Sequence, residues 1–214
     1  MIMRTFSKNQ LQRYPIYLKY FKELQADGLS DISSPKIARA LGYSEEQIRK
    51  DLQAVSDDAG RPKKGRSVEK LIENIESFLG YRGEAEAFLL GTGHLGGALM
   101  NYPNFQEMGF SITEGFDVDP DKIGKSIGGK PVLSMKDLPT EMARRHCRIV
   151  ILAVPVAVAQ EVADFAIGSG ALGIWNFAPT HINVLDSVVI ENVNLASSLA
   201  VLNHRLNEKM AKRR

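Results

Sequence analysis

The chain has 214 residues, 44% of them hydrophobic and 24% charged, with a formal net charge of +2 and one cysteine. Such values fit ordinary globular protein of one large domain or two small ones. They exclude an intrachain disulfide at Cys147, which fits a reducing cytoplasm, and no apolar run approaches the ~20 residues that span a bilayer. Residues 1–20 mix charged and apolar side chains and lack the continuous apolar stretch of a secretory signal. The charge is unevenly spread. Residues 1–82 hold 15 Lys/Arg against 11 Asp/Glu, a net of +4, and residues 83–214 hold 12 against 14, a net of −2. A basic excess at the N-terminal end is the sign expected if that part meets nucleic acid.

Leu11, Tyr14, Leu18, Phe21 and Leu24 fall at steps of three and four and predict an amphipathic helix over 9–27. Residues 28–33 read as a loop. Ser34 before Pro35 predicts a helix start with Ser34 as the cap; Ile37, Ala38 and Leu41 give it an apolar face, and Gly42 closes it. Ser44 stands three residues before Gln47, the capping-box spacing, and opens a helix through Ile48, Leu52 and Val55. Two short helices about a tight turn at 42–43 make a helix-turn-helix. Residues 57–68 follow with Gly, Pro and four basic side chains, Arg61, Lys63, Lys64 and Arg66, and read as a hairpin. The N-terminal part, 1–82, is therefore expected to be a winged helix, completed by a helix over 67–79 and a joint at 80–83.

From residue 84 apolar strands alternate with helices. Strands are expected at 85–91, 111–117, 131–134, 148–155, 171–177 and 188–193, with helices at 94–102 and 156–168. That alternation means βαβ units and a mostly parallel sheet. The run 148–155 is apolar almost throughout, as a strand buried on both faces should be. The expected fold class is α/β: a winged helix-turn-helix domain, then a Rossmann doubly wound parallel sheet over 83–194, then a C-terminal helix within 195–214.

Two motifs carry the chemistry. Gly91-Thr92-Gly93-His94-Leu95-Gly96 follows a strand and opens a helix, and Asp117 ends the next strand. In this setting Gly91 permits a tight turn, Gly93 lets a pyrophosphate approach the backbone, and Gly96 lets helix and strand pack closely. The N–H groups of the helix start offer positive charge to phosphate. Asp117 would accept from the ribose 2′-OH and disfavour a 2′-phosphate, so NAD is expected over NADP. Asp119 is a rival for that role, and Val118 and Lys122 are counted with them. Ala153-Val154-Pro155 and Asn176-Phe177-Ala178-Pro179 lie at C-terminal strand ends, where open parallel sheets bind ligands, and are candidates for the nicotinamide pocket. The second motif is the helix from Ser44 to Leu52. Gln47 and Arg49 suit base edges, and Lys50, Ser34, Ser44 and the basic hairpin suit phosphate. Cys147 and Trp175 read as packing residues. His94 has no matched acid or nucleophile, and neither a catalytic nor a metal site is expected.

With both motifs placed, the sequence resembles the Rex family of redox-sensing transcriptional repressors over nearly its whole length. The resemblance is carried by 47–52 (QIRKDL), 91–99 (GTGHLGGAL), Tyr102-Pro103, 115–120 (GFDVDP), Val154-Pro155, 176–179 (NFAP) and Glu191-Asn192-Val193, in that order. It implies a homodimer that binds operator double-stranded DNA when NADH is scarce and lets go when NADH binds. It also implies that the last helix, within 195–214, swaps into the partner subunit, and that NADH and NAD+ are regulatory ligands. Three departures stand out. The stretch 53–66 is more basic than the family's wing and lacks its aromatics; Asn194 replaces a common Asp; Lys19 replaces a common Arg. Two competing readings follow: a small NAD-dependent oxidoreductase with a helical extension, and a DNA-binding paralogue with a weakened NADH response.

Overall fold

In the computed structural model, which describes residues 6–56, 65–80, 85–103, 105 and 109–212, helix α1 (Lys8–Ala26) begins where the Ser7 hydroxyl accepts the Gln10 N–H. Its inner side is Tyr14, Tyr17, Leu18 and Phe21, all buried, while Leu11 of the expected stripe is 41% exposed. Pro15 lies inside the helix. It removes one intrahelical donor, and the buried rings of Tyr14 and Tyr17 hold the helix across that gap. The chain divides into two units, Met1–Glu84 and Ala85–Arg214.

In the first unit, α2 (Ser34–Leu41) and α3 (Glu45–Val55) form the expected helix-turn-helix. Gly42 makes the turn in the left-handed region, φ 72° and ψ 25°, and the Tyr43 N–H returns to the Ala38 carbonyl at 3.1 Å. The cap of α2 is Ser33, not Ser34. Ser33 is extended and its carbonyl accepts the first helical N–H groups, while Ser34 is already helical with Pro35 behind it. Helix α4 (Val68–Leu79) packs along α1 and ends at left-handed Gly80. Short strands β1 (Asp31–Ile32) and β2 (Arg66–Ser67) pair antiparallel, with Ile32 opposite Arg66. Residues 57–64, with Arg61, Lys63 and Lys64, lie outside the described residues.

The second unit alternates as β3 (Ala85–Leu90), α5 (His94–Met100), β4 (Phe110–Asp117), β5 (Ser126–Ile127), β6 (Lys130–Ser134), α6 (Leu138–Arg145), β7 (Ile149–Leu152), α7 (Ala159–Gly168), β8 (Gly173–Asn176) and β9 (Val189–Asn192). The sheet order is β5-β6-β4-β3-β7-β8-β9, parallel except for the β5–β6 hairpin. The chain winds outward from β3 through β4 to β6, then returns to lay β7 on the other side of β3. That reversal opens a crevice at the C-terminal ends of β3 and β7, the topological switch point where such sheets bind ligands. One sheet face packs Phe88, Leu90, Val150 and Leu152 against Leu138 and Met142 of α6 and three alanines of α7. The other packs Ala87, Leu89, Ile112 and Ile151 under α5, with an apolar cavity of about 300 Å³ beside Ile149 and Trp175. Helix α6 and strand β5 were not expected from the sequence. Strand β7 is shorter than the expected 148–155. Helix α8 (Leu195–Ala211) ends the described fold and has no buried residue.

Candidate functional site

The crevice is built by the loop between β3 and α5. Gly91 stands at φ 92°, and a Cβ there would sit 2.6 Å from the Ala153 carbonyl. A Cβ on Gly96 would collide with the Gly91 carbonyl, whereas one on Gly93 would meet nothing of the protein. Two of the three glycines thus serve backbone packing, and the third leaves open space where a phosphate could approach. The first N–H groups of α5 have no partner within their own helix, as at any helix start. The loop therefore fits a pyrophosphate.

Asp117 closes β4 on the floor of the crevice. Its carboxylate accepts the Thr92 N–H at 2.9 Å and the Thr92 hydroxyl at 2.7 Å, the N–H groups of Val118 and Asp119 at 2.9 and 3.0 Å, and Lys122 Nζ at 3.1 Å. Burial pushes the carboxyl up, but the bonds from Thr92, the Asp119 main chain and Lys122 outweigh it and hold the group at about 2. Lys122 also lies 3.6 Å from Asp119 Oδ2, and its ammonium is raised, chiefly by its bond to Asp117.

A cleft of about 690 Å³ gathers most of the expected ligand residues: Gly91, Gly93, His94, Leu95, Asp117, Val118, Asp119, Lys122, Ala153, Val154, Pro155, Phe177 and Pro179. Three expected contacts lie behind the wall instead. Thr92 is buried under Asp117, Gly96 packs on the loop, and Asn176 is 1% exposed. The Asn176 side chain accepts the Ala178 N–H at 2.9 Å and donates to the Thr180 carbonyl at 3.0 Å, which fixes the turn carrying Phe177 and Pro179. Four lining residues escaped the sequence reading: Met135, Val158, Glu161 and Val162. The last three occupy one side of the helix start after Pro155, and their spacing of three and four was the available signal.

In the first unit, Ser44 caps α3, its hydroxyl accepting the Gln47 N–H at 3.2 Å. Ile48, Asp51 and Leu52 face inward. Arg49 and Lys50 are exposed, and Gln47 and Ser34 are partly exposed. Lys50 pairs with Glu46 at 2.7 Å on the outer face, both side chains over 70% exposed; such a pair is weak and screened, so Lys50 stays available to a stronger anion. Arg66 is a correction. It is 7% exposed in β2, so it is not presented as a phosphate contact. Among the described residues no group of three or more His, Cys, Asp or Glu is placed to hold a metal ion. Among them, too, no helix is long and apolar enough to cross a membrane.

A small helix-turn-helix unit joined to a Rossmann-type nucleotide cleft defines the class: a ligand-responsive DNA-binding regulator. Comparison with known proteins agrees. Residues 6–53 match the family model for a putative DNA-binding protein N-terminus, and residues 83–180 match that for a CoA binding domain. The chain is 39% identical to the redox-sensing transcriptional repressor Rex of Caldicellulosiruptor saccharolyticus, over 94% of this chain and 91% of that one. It is 41% identical to Rex of Treponema denticola, over 93% and 94%. Among solved structures it is similar to RSP, a Rex-family repressor, in complex with β-NAD+ and operator DNA: TM-score 0.89, 33% identity, 98% of this chain and 96% of that one. The complex of RSP with β-NADH matches at TM-score 0.86 and 32% identity, covering 98% of each. The chain belongs to the Rex family of redox-sensing transcriptional repressors. These are regulators rather than enzymes, which sets aside the oxidoreductase reading.

Proposed function

We propose that this chain represses transcription in the cytoplasm as a homodimer that holds operator DNA while NADH is scarce and releases it when NADH fills the cleft. The observation that carries this is the cleft itself: a glycine loop open at Gly93, an acidic strand end, and apolar turns after β7 and β8, all at the switch point. RSP has been captured with NAD+ on operator DNA and with NADH, and the cleft's composition extends that ligand class to this chain. On the DNA side, Arg49 and Gln47 read base edges, while Lys50, Ser44, Ser34 and the basic residues Arg61, Lys63 and Lys64 hold phosphates. The homodimer is supported by α8, whose Leu199, Leu202 and Leu206 are 67%, 62% and 52% exposed on their own subunit. Such a stripe calls for an apolar partner surface, here a second copy.

A dimer reads two half-sites about 34–36 Å apart. A ligand that holds the reading helices at another separation loses one half-site. Converting a 1:99 population to 99:1 takes roughly 5.5 kcal/mol of differential affinity, and operator DNA must weaken NADH binding by the same factor. Fluorescence anisotropy on a labelled Rex-type palindrome tests this at fixed salt, without ligand, with NAD+ and with NADH. Tight binding lost only with NADH is expected. Tight binding indifferent to both would establish a repressor blind to NADH, the reading that Asn194 and Lys19 motivate. In the structure Asn194 caps α8, accepting the Ser197 N–H at 3.0 Å.

A further inference from the structure

The sheet face under α5 carries a second pair of cavities whose described lining residues are all different from those of the dinucleotide cleft. The inner one, about 300 Å³, is lined by apolar side chains, among them Ile149 and Ile151 of β7 and Trp175 of β8. The other, about 180 Å³, lies at the carboxyl end of α5, against Tyr102, Pro103 and Lys130 of β6. Phe105, Phe110 and Ile112 line both, so one runs on from the other around the same three side chains. Together they reach the size of a small-molecule pocket, roughly 300 Å³ or more. Lys130 is the charged group of this space. Its Nζ donates to the Met100 carbonyl in the last turn of α5, and an ammonium has two further N–H groups to give. Among the described residues no carboxylate pairs with it, and burial pushes the ammonium down. A partly buried cation beside aromatic rings is costly without an anion, and a carboxylate brought to it would make a charge-assisted hydrogen bond.

We propose that these two spaces form a second ligand site, for a small carboxylate with an apolar tail: the carboxylate on Lys130, the tail along Phe105, Phe110 and Ile112 toward Trp175. Both halves of such a ligand are used. A purely apolar molecule would leave Lys130 unpaired, and a small inorganic anion would leave the apolar lining in water. One ammonium matches one negative charge, which favours a monocarboxylate over a more highly charged molecule.

Titration of the full chain with phenylpropionate tests this. Trp175 is the chain's only tryptophan, borders the inner cavity and meets Phe105 edge-on with ring centres 5.6 Å apart, so saturation should shift its fluorescence. Calorimetry should show saturable binding, about tenfold weaker in K130M and recovered in K130R. The uncharged amide of the same acid should also bind the wild type about tenfold more weakly, a comparison that stands even if K130M does not fold. NADH at saturation should leave phenylpropionate bound. No saturable binding by the wild type, equal affinity for acid and amide, or displacement by NADH would each overturn the proposal. Binding that appears only when Leu199, Leu202 and Leu206 are all replaced by Ser would overturn it too, since a second copy of the chain would then be the occupant.

Discussion

Arg13 of α1 and Asp51 of α3 form a two-pronged ion pair, Nε to Oδ2 at 2.7 Å and Nη2 to Oδ1 at 2.8 Å, with side chains only 14% and 4% exposed. The Tyr17 hydroxyl donates to the same carboxylate at 2.8 Å, and the Tyr14 hydroxyl to the Asp51 carbonyl at 3.0 Å. The bond to Asp51 raises the Arg13 guanidinium further, and burial pushes both phenols up, Tyr14 to about 12. All three therefore remain donors across the physiological range. The helix expected to read DNA is thus fixed from behind by a charge its reading face never shows.

Breaking this pair should cost stability and DNA binding together. Asp51→Ala leaves a guanidinium and a phenol without their acceptor, a change worth roughly 3 kcal/mol. Denaturant unfolding should show the loss, and operator affinity should fall while NADH affinity holds. An unmoved unfolding midpoint would reduce the pair to a surface contact.

The two outward cations of α3 should separate in their effects. Arg49→Ala is expected to erase the preference for operator over random DNA. Lys50→Ala should weaken binding about equally on all sequences and lower the slope of log K against log salt by about 1 per subunit. Anisotropy at several salt concentrations distinguishes them, and equal behaviour of the two variants would refute the division of roles.

Replacing Leu199, Leu202 and Leu206 together by Ser should turn the dimer into a monomer. These side chains are more than half exposed on their own subunit, so the single subunit loses little packing. Light scattering should report half the mass, and operator affinity should collapse because one half-site is no longer held. A mass unchanged from the wild type would remove α8 from the dimer interface.

Glu114 makes a pH prediction. It is 4% exposed on β4, with one oxygen 3.4–3.5 Å from Arg144 and Arg145 and the other without a partner among the described residues. Burial, then the nearby Glu141, pushes its carboxyl up despite the two arginines. A raised carboxyl favours the folded state below the unfolded value of about 4.3 and loses that contribution as pH rises through the folded one. Glu114→Gln should therefore match or exceed the wild type in stability at neutral pH, with the difference closing in acid. Thermal unfolding across pH would show it; a large loss at neutral pH would mean that the charged form is stabilising.

Local signals were legible where a single segment contains its own reason. The helix-turn-helix was readable because Gly42 and Ser44 punctuate it, and the glycine loop because Gly96 packs on Gly91 and Leu89 of the same strand and turn. Helix α6 offered only Leu138 and Met142 as an apolar pattern, and it went unread. Long-range closure was invisible. Thr92 and Asp117 are 25 residues apart, and Arg13 and Asp51 are 38 apart; only the folded sheet and bundle show that each acid is already engaged. For the same reason Arg66 counted as one of a basic run, when pairing opposite Ile32 buries it.

The loop clamped by Thr92 and Asp117 has a further consequence for the proposed ligand. NAD+ and NADH present the same phosphates and the same adenosine to it. A grip that treats both forms alike raises both affinities and discriminates nothing. Sensing is then left to the other end of the cleft, where Ala153, Val154, Pro155, Phe177 and Pro179 offer almost no polar side chain. The oxidised nicotinamide ring carries a positive charge and the reduced ring does not, and drying a cation against such a wall is costly. With the nicotinamide against that wall, the selectivity of the sensor would be a hydration energy, set by what the wall fails to offer one form of the ring.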